Sequence, residues 1–398
     1  MEIRDIKDSY QGYVQRLRRE FHEQPELSYQ EFETTKRIAR ELDDMGIPYE
    51  ITDRNIGIVA WIDGDMPGKT VALRADIDGL PVQETNTFDF ASKQDGVMHA
   101  CGHDGHTAIV LGAARMLLEV KNRIQGRVYL IFQPAEEVGT GAEFMRTYGD
   151  WYEKTDCIFG GHVWVDLPAG KVNIEAGPRM AATDKWTVKI TGKNAHGSRP
   201  HEGIDSVLVA SAIVMNLQSI VSRNYSALDS VVLSVTRITS GNTWNVVPGE
   251  AELEGTSRYF RREVRPDIME KFERIVKNTA AAYGATATIE YQHVAWPLIN
   301  EEEPSQVGVE AVAAVLGEEA LAPMEKIMAG EDFATYQLDK PSSFAFVGIA
   351  NPEVGAVYAH HNNNFNMDDS VLSDASAVYA EFALRWLDKH ANEDPSAQ

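Results

Sequence analysis

The chain has only two cysteines in 398 residues, which excludes a disulfide framework as the source of its stability. It contains no uninterrupted apolar run near the ~18 residues that a membrane-spanning helix needs. Its first residues, MEIRDIKDSYQGYVQRLRREF, are charged and lack the apolar core of a secretory signal. These shortages lead us to expect a cytoplasmic protein without a membrane partner. Positive charge is also in deficit, with 37 Lys and Arg against 60 Asp and Glu and a formal charge of −23. Such a chain does not hold a nucleic-acid backbone by general electrostatics, and it repels anions at long range. An anionic substrate would have to be held locally, by an arginine or a metal.

Histidine is scarce too, with 11 in all. Yet three of them fall beside a cysteine in Met98-His99-Ala100-Cys101-Gly102-His103-Asp104-Gly105-His106-Thr107. Gly102 and Gly105 allow tight turns, and the following TAIVLGAARMLLEV reads as a helix with an apolar face. The cluster therefore feeds a helix N-terminus, where unpaired N–H groups and the macrodipole favour a thiolate or carboxylate. Cys101 as thiolate and His103 as neutral imidazole can reach one transition-metal ion from such a turn. Read singly, Cys101 would be a small buried hydrophobe and His106 a residue on the first-turn helix surface.

At this length one core does not suffice, so two domains are expected. Residues 5–45 read as helices broken at Pro25, with Gly46 ending the second. PYEITD, GIVAWIDG, TVALRADID, RVYLIFQPAEE and DCIFGGHVW then read as strands, several of them continuously apolar and separated by helices. That is the mark of a largely parallel sheet covered on both faces. Asp76, Asp78, Glu136, Glu137 and His162 collect where these strands finish, the place where open α/β sheets bind ligands. From about Asp184 the order becomes βαββαβ, a ferredoxin-like pattern, and helix–strand alternation resumes after Pro297. We therefore expect an α/β catalytic domain from 1–183 and 296–398, with an inserted α+β domain at 184–295. The tail ANEDPSAQ is expected to fray.

HACGHDGHTA, FQPAEE, the GGHVW histidine, RADIDGLP, GEDFATY and AHHNNNF occur in the order found in metal-dependent amidohydrolases of the aminoacylase/carboxypeptidase superfamily. The chain resembles their N-acyl-amino-acid amidohydrolase branch, which includes hippurate hydrolases, N-acetyldiaminopimelate deacetylases and indoleacetyl-amino-acid hydrolases. The resemblance runs from the N-terminal helices to about residue 388. It implies metal ligands at Cys101, His103, Glu137, His162 and His361, the last preferred over His360. Five ligands with water suit two divalent ions per subunit, with zinc, manganese or cobalt as candidates. Glu136 would be the general base for water attack on an amide carbonyl. Asp78 would orient a ligand imidazole. His196, in NAHGSRPHEG, would stabilise the oxyanion from a lid that also carries a homodimer contact. Asn245 and Arg258 match positions that bind the substrate carbonyl and carboxylate. Two departures stand out: Asn362-Asn363-Asn364 replaces the usual Pro after the last ligand histidine, and the Gly-Gly-His-Ala spelling before the lid histidine is absent.

The function this implies is hydrolysis of an N-acyl-amino acid to a carboxylic acid and a free amino acid. A metallo-dipeptidase or small-peptide carboxypeptidase would use the same water attack. A metal-bearing binding protein without catalysis is a third reading, against which the Glu136-Glu137 pair counts, since a binder needs no base.

Overall fold

A computed structural model describes residues 1–391. The chain forms two compact units, the first from Met1–Gly177, Ile299–Glu325 and Thr335 onward, the second from Pro178–Leu298 with Lys326–Ala334. The tail expected to fray lies, after Ala391, outside the described residues.

The first unit is built on a seven-stranded sheet. Its four central strands are mutually parallel, in the order Gln125–Gln133, Met66–Asp76, Cys157–Pro168 and Ser342–Ala350. Ile58–Asp63 and Tyr49–Ile51 continue one edge antiparallel, and Val172–Asn173 closes the other. The last six residues of Gln125–Gln133 and the first eight of Ser342–Ala350 are buried without alternation, as cover on both faces requires. The helices Gln11–His22, Phe32–Met45, His103–Glu119, Glu302–Leu316 and Leu372–Lys389 provide that cover. Their Leu17, Leu42, Leu111, Val312 and Phe382 share one core with Leu73, Leu130, Phe159 and Val347 of the strands. Gly46 ends Phe32–Met45 at φ 67°, and Ile47 N–H closes on Leu42 O at 3.0 Å. The helix His103–Glu119 is buried on nearly all sides rather than along one face. It runs through the middle of the core, so its first-turn polar groups must find partners inside.

The second unit follows the βαββαβ order with an antiparallel sheet, Val231–Ser240, Glu250–Tyr259, Ala182–Thr191 and Thr286–Ala295. Here burial does alternate along the strands, because the helices Ser206–Asn224 and Val264–Ala282 share a core with the sheet. Asp205 caps the first helix, accepting from Val207 N–H at 2.9 Å and Leu208 N–H at 3.3 Å. Ser206–Asn224 is long and apolar enough by composition to cross a membrane, with a third of its most apolar stretch buried. Its serines, Asn216 and Gln218 interrupt the run, which is why a search for continuous apolar sequence passes over it. Lys326–Ala334 joins this unit through main-chain bonds, Ala181 N–H reaching Ile327 O and Ala329 O at 3.0 Å. Nothing in its composition marks it as part of the inserted domain.

Candidate metal centre

The central parallel strands deliver polar residues to one end of the sheet of the first unit. Asp76 ends Met66–Asp76, with Asp78 two residues on, and Glu136 and Glu137 follow Gln125–Gln133 after Pro134. His162 lies within Cys157–Pro168, Cys101 and His103 open the helix His103–Glu119, and His361 comes from the loop after Ser342–Ala350. Cys101, His103 and His162 bring ligand atoms within 4.8 Å of one another. So do Cys101, Glu137 and His361, and so do His103, Glu136 and Glu137. The shared members join these groups into one cluster containing all five expected ligands and the expected base.

Three left-handed backbone positions make the convergence work. Gly102 has φ 95°, and a Cβ there would meet Val163 Cγ2 at 2.4 Å. Ala135 (φ 57°) and His361 (φ 66°) adopt the same region without being glycine, at a cost of order 1–3 kcal/mol each. Both are held from outside. Ala135 N–H donates to the buried Glu31 Oε1 at 2.8 Å, and His361 N–H donates to Ala100 O at 2.8 Å. The turn at Ala135 comes immediately before the Glu136-Glu137 pair.

Hydrogen bonds at Nδ1 identify the ring nitrogen that His103 and His162 turn to the cluster. His103 Nδ1–H donates to Asp78 O at 2.9 Å and Oδ1 at 3.1 Å, leaving Nε2 as the nitrogen that faces the cluster. That Nε2 lies 3.9 Å from Glu137 Oε1. Both atoms are buried and lack a hydrogen-bond partner among the described residues. His162 Nδ1–H donates to Val163 O at 2.6 Å, which leaves its Nε2 facing Cys101 Sγ at 3.3 Å. His361 Nε2 stands 3.5 Å from Glu137 Oε1. An imidazole nitrogen, a carboxylate oxygen and the Cys101 sulfur gathered at one buried point are donor atoms that a single cation can satisfy. Thiolate, imidazole and carboxylate together suit a borderline transition metal.

The electrostatics agree. Burial pushes the Cys101 thiol well above its ordinary range, and Glu137 adds to the effect. Burial lifts Glu137 to about 7, against the pull of His103. Burial, reinforced by the neighbouring His106 and His360 rings, drives His162 well below its usual value. Burial opposes charge on His103 as well, but Asp76 and the Asp78 hydrogen bond outweigh it and favour the imidazolium, whose Nε2 proton a cation would have to displace. Ligands of this kind give up protons only in exchange for a cation.

Two residues not assigned a role from sequence also belong here. His106 is buried at 1 % exposure, not on a helix surface. It bonds Asp76 Oδ1 through Nδ1 at 2.5 Å and accepts from Val163 N–H through Nε2 at 2.9 Å. Asp76 also pairs with the buried Arg74 at 2.6 Å. The signal was available in the spacing, since Arg74 and Asp76 share a face of the strand Met66–Asp76 and His106 is one turn on from His103. His360 turns away from Glu137, bonding Val163 O at 2.9 Å and stacking on Trp164. That leaves His361 as the residue at the cluster.

The remaining candidates lie in the second unit. His196 and Asn245 sit together on a small ribbon in which His196 pairs with Val246, and Gly197 N–H donates to Asn245 O at 2.8 Å. Arg258 is half-buried on Glu250–Tyr259, where Nη1 donates to Thr183 Oγ1 and to Met328 O. It forms no ion pair among the described residues, so its charge is not used up on a neighbour.

A profile of peptidase family M20/M25/M40 matches residues 72–385. The chain belongs to that family. N-acetylcysteine deacetylase of Bacillus subtilis (strain 168) is 40% identical over 373 residues, covering 94% of this chain and 96% of its own. Thermostable carboxypeptidase 2 of Saccharolobus solfataricus is 35% identical over 395 residues, 98% of each. Among solved structures, the YXEP protein of Bacillus subtilis, a dinuclear metal binding peptidase from the M20 family, superposes with TM-score 0.84. It is 36% identical, covering 96% of this chain and 99% of that one. The M20 chain described here is thus an enzyme acting on amide bonds, in the N-acyl-amino-acid amidohydrolase branch that its motifs resemble.

Proposed function

We propose that the protein hydrolyses the amide bond of N-acyl-amino acids, with Cys101, His103, Glu137, His162 and His361 holding two divalent ions. The observation that carries this reading is the unpartnered pair His103 Nε2 and Glu137 Oε1, with Glu136 in the same cluster. Divalent ions, when bound, supply Lewis acidity and a lowered pKa for water. Glu136 takes the proton of the attacking water and passes it to the leaving amine. Asp78 holds the His103 proton at Nδ1, so that Nε2 is the nitrogen turned to the metal.

The second unit serves as lid and dimer contact in this reading. His196 Nδ1 accepts from Ser198 N–H at 3.1 Å, which puts the ring proton on Nε2 as a donor for an oxyanion. Arg258, free of an acidic partner, suits the substrate carboxylate, and Asn245 its carbonyl. Val207, Leu208 and Met215 leave an apolar stripe exposed on Ser206–Asn224, and Ile238 does so on the sheet-edge strand Val231–Ser240. A second copy covering that surface would make a homodimer, in the cytoplasm and without nucleic-acid or membrane partners.

Peptide cleavage is the second reading, favoured by the similarity to a carboxypeptidase over 98% of the chain. The deciding experiment assays N-acetyl- and N-benzoyl-amino acids beside dipeptides, with enzyme reconstituted with zinc, manganese or cobalt. Metal-dependent turnover confined to the acyl-amino acids is expected. Turnover of dipeptides alone would favour the peptidase, and none on any of these substrates would overturn the proposed substrate class.

A further inference from the structure

Val163 is bonded at both its polar atoms by histidines. Its N–H donates to His106 Nε2 at 2.9 Å. Its carbonyl accepts from His162 Nδ1–H at 2.6 Å and from His360 Nε2–H at 2.9 Å. We propose that His106 is a positioning residue for His162, clamping Val163 so that its carbonyl fixes the rotation and tautomer of that imidazole.

The hydrogen-bond chemistry permits one arrangement. The Val163 amide can only donate, so His106 Nε2 must accept, and the ring proton must sit on Nδ1. Nδ1–H then donates to Asp76 Oδ1 at 2.5 Å. Asp76 is held in turn by Arg74 Nη1 at 2.6 Å, and Arg74 Nε reaches Gln133 Oε1 at 2.9 Å. Gln133 Oε1 also accepts from Tyr336 O–H at 3.0 Å. All of these side chains are buried, so none of the bonds exchanges freely with water, and a lost partner leaves an orphan. The Val163 side chain also packs against the turn that carries Cys101 and His103. Its Cγ2 comes so close to Gly102 that a Cβ there would lie 2.4 Å away, so only glycine allows the approach. The effect is to hold His162 Nε2 beside Cys101 Sγ. The His106 and His162 rings lie 4.5 Å apart and nearly perpendicular, so His106 supports its neighbour without competing for its partners.

The inference rests on His162 being a ligand, and its test separates the two claims. Wild type, His106→Gln and His106→Leu are stripped of metal and titrated with Co2+ by absorbance and with Zn2+ against a competing chelator. Gln places an acceptor near the former Nε2, whereas Leu keeps only bulk. For His106→Leu we expect affinity for one of the two ions to fall about 10–100-fold, with an altered Co2+ spectrum. His106→Gln should recover most of that loss although both variants melt at lower temperature. Wild-type affinity and spectrum in His106→Leu would overturn the proposal, as would equal losses in both variants tracking their melting temperatures. If His106→Leu does not fold, ring 15N shifts of the wild-type holoenzyme decide. A protonated Nδ1 and bare Nε2 at His106 are expected, and the opposite tautomer or an imidazolium overturns the clamp. His162→Ala is the control: if it retains both ions, the ligand reading fails and the clamp with it. If it loses one ion while His106→Leu does not, only the clamp fails.

Discussion

Replacing Asp78 by Asn asks how firmly the His103 ligand depends on its carboxylate. Besides its carbonyl contact, Asp78 accepts three side-chain hydrogen bonds: from His103 Nδ1–H at 3.1 Å, Ser28 Oγ–H at 2.7 Å and Glu137 N–H at 3.1 Å. An Asn amide has one accepting oxygen and one donating nitrogen. If its oxygen faces His103, the NH2 group meets the Glu137 amide, donor against donor. If the amide is turned over, the NH2 group meets His103 Nδ1–H instead and pushes that proton toward Nε2, the atom needed for the metal. In the first case Ser28 can turn its hydroxyl to accept from the NH2 group and in the second it goes on donating, so either way one bond to an ionised group is lost, about 1.5–3 kcal/mol. Loss of a carboxylate behind a ligand imidazole typically lowers metal affinity about 10–100-fold. Competition titration of the stripped protein with a chromophoric chelator measures the affinity, and calorimetric unfolding measures the stability. Full wild-type affinity together with unchanged stability would refute the reasoning that Asp78 sets the His103 tautomer.

Thiol chemistry tests Cys101 independently. Chelation should expose it to alkylation and inactivate the enzyme, and adding metal first should protect it, while the fully buried Cys157 stays unlabelled throughout; equal labelling with and without metal would make Cys101 an ordinary cysteine. Glu31 gives a pH signature. Burial first, then Asp78, raises its carboxyl from 4.5 to about 8. The unfolded chain therefore binds fewer protons between about 4.5 and 8, and this group makes stability fall as pH rises through that window. Glu31→Gln in metal-free protein should flatten the dependence of melting temperature on pH there, and an unchanged slope would mean that Glu31 is ionised when folded. His196→Ala should lower kcat about 10²–10³-fold with metal content intact. If a partner subunit supplies His196, mixing in excess Glu136→Gln subunits should restore some activity, and proven subunit exchange without recovery would exclude sharing.

Much of the centre was legible because its residue types are rare and its spacing is local. Cys101 and His103 are two apart on one turn, and Glu136-Glu137 follow a strand that is apolar until its end. The βαββαβ block was legible from the same strand and helix periodicities, and the parallel sheet from its continuous apolar runs. What could not be read depends on contacts made at long range. His106 appeared as a surface residue because the helix it opens is buried on both sides, which only tertiary packing decides. Glu31 gave no sign that it supports a left-handed Ala135 more than 100 positions away. Lys326–Ala334 joins the second unit by main-chain hydrogen bonds, which leave no mark on composition.

The central claim is that Glu136 moves the proton of the attacking water while the neighbouring Glu137 holds metal. Metal-loaded Glu136→Gln, with occupancy verified by elemental analysis, should be assayed on an N-acyl-amino acid that the wild-type enzyme cleaves. The account expects full metal content and turnover reduced about 10²–10⁴-fold. Near-wild-type turnover in the fully loaded variant would contradict it.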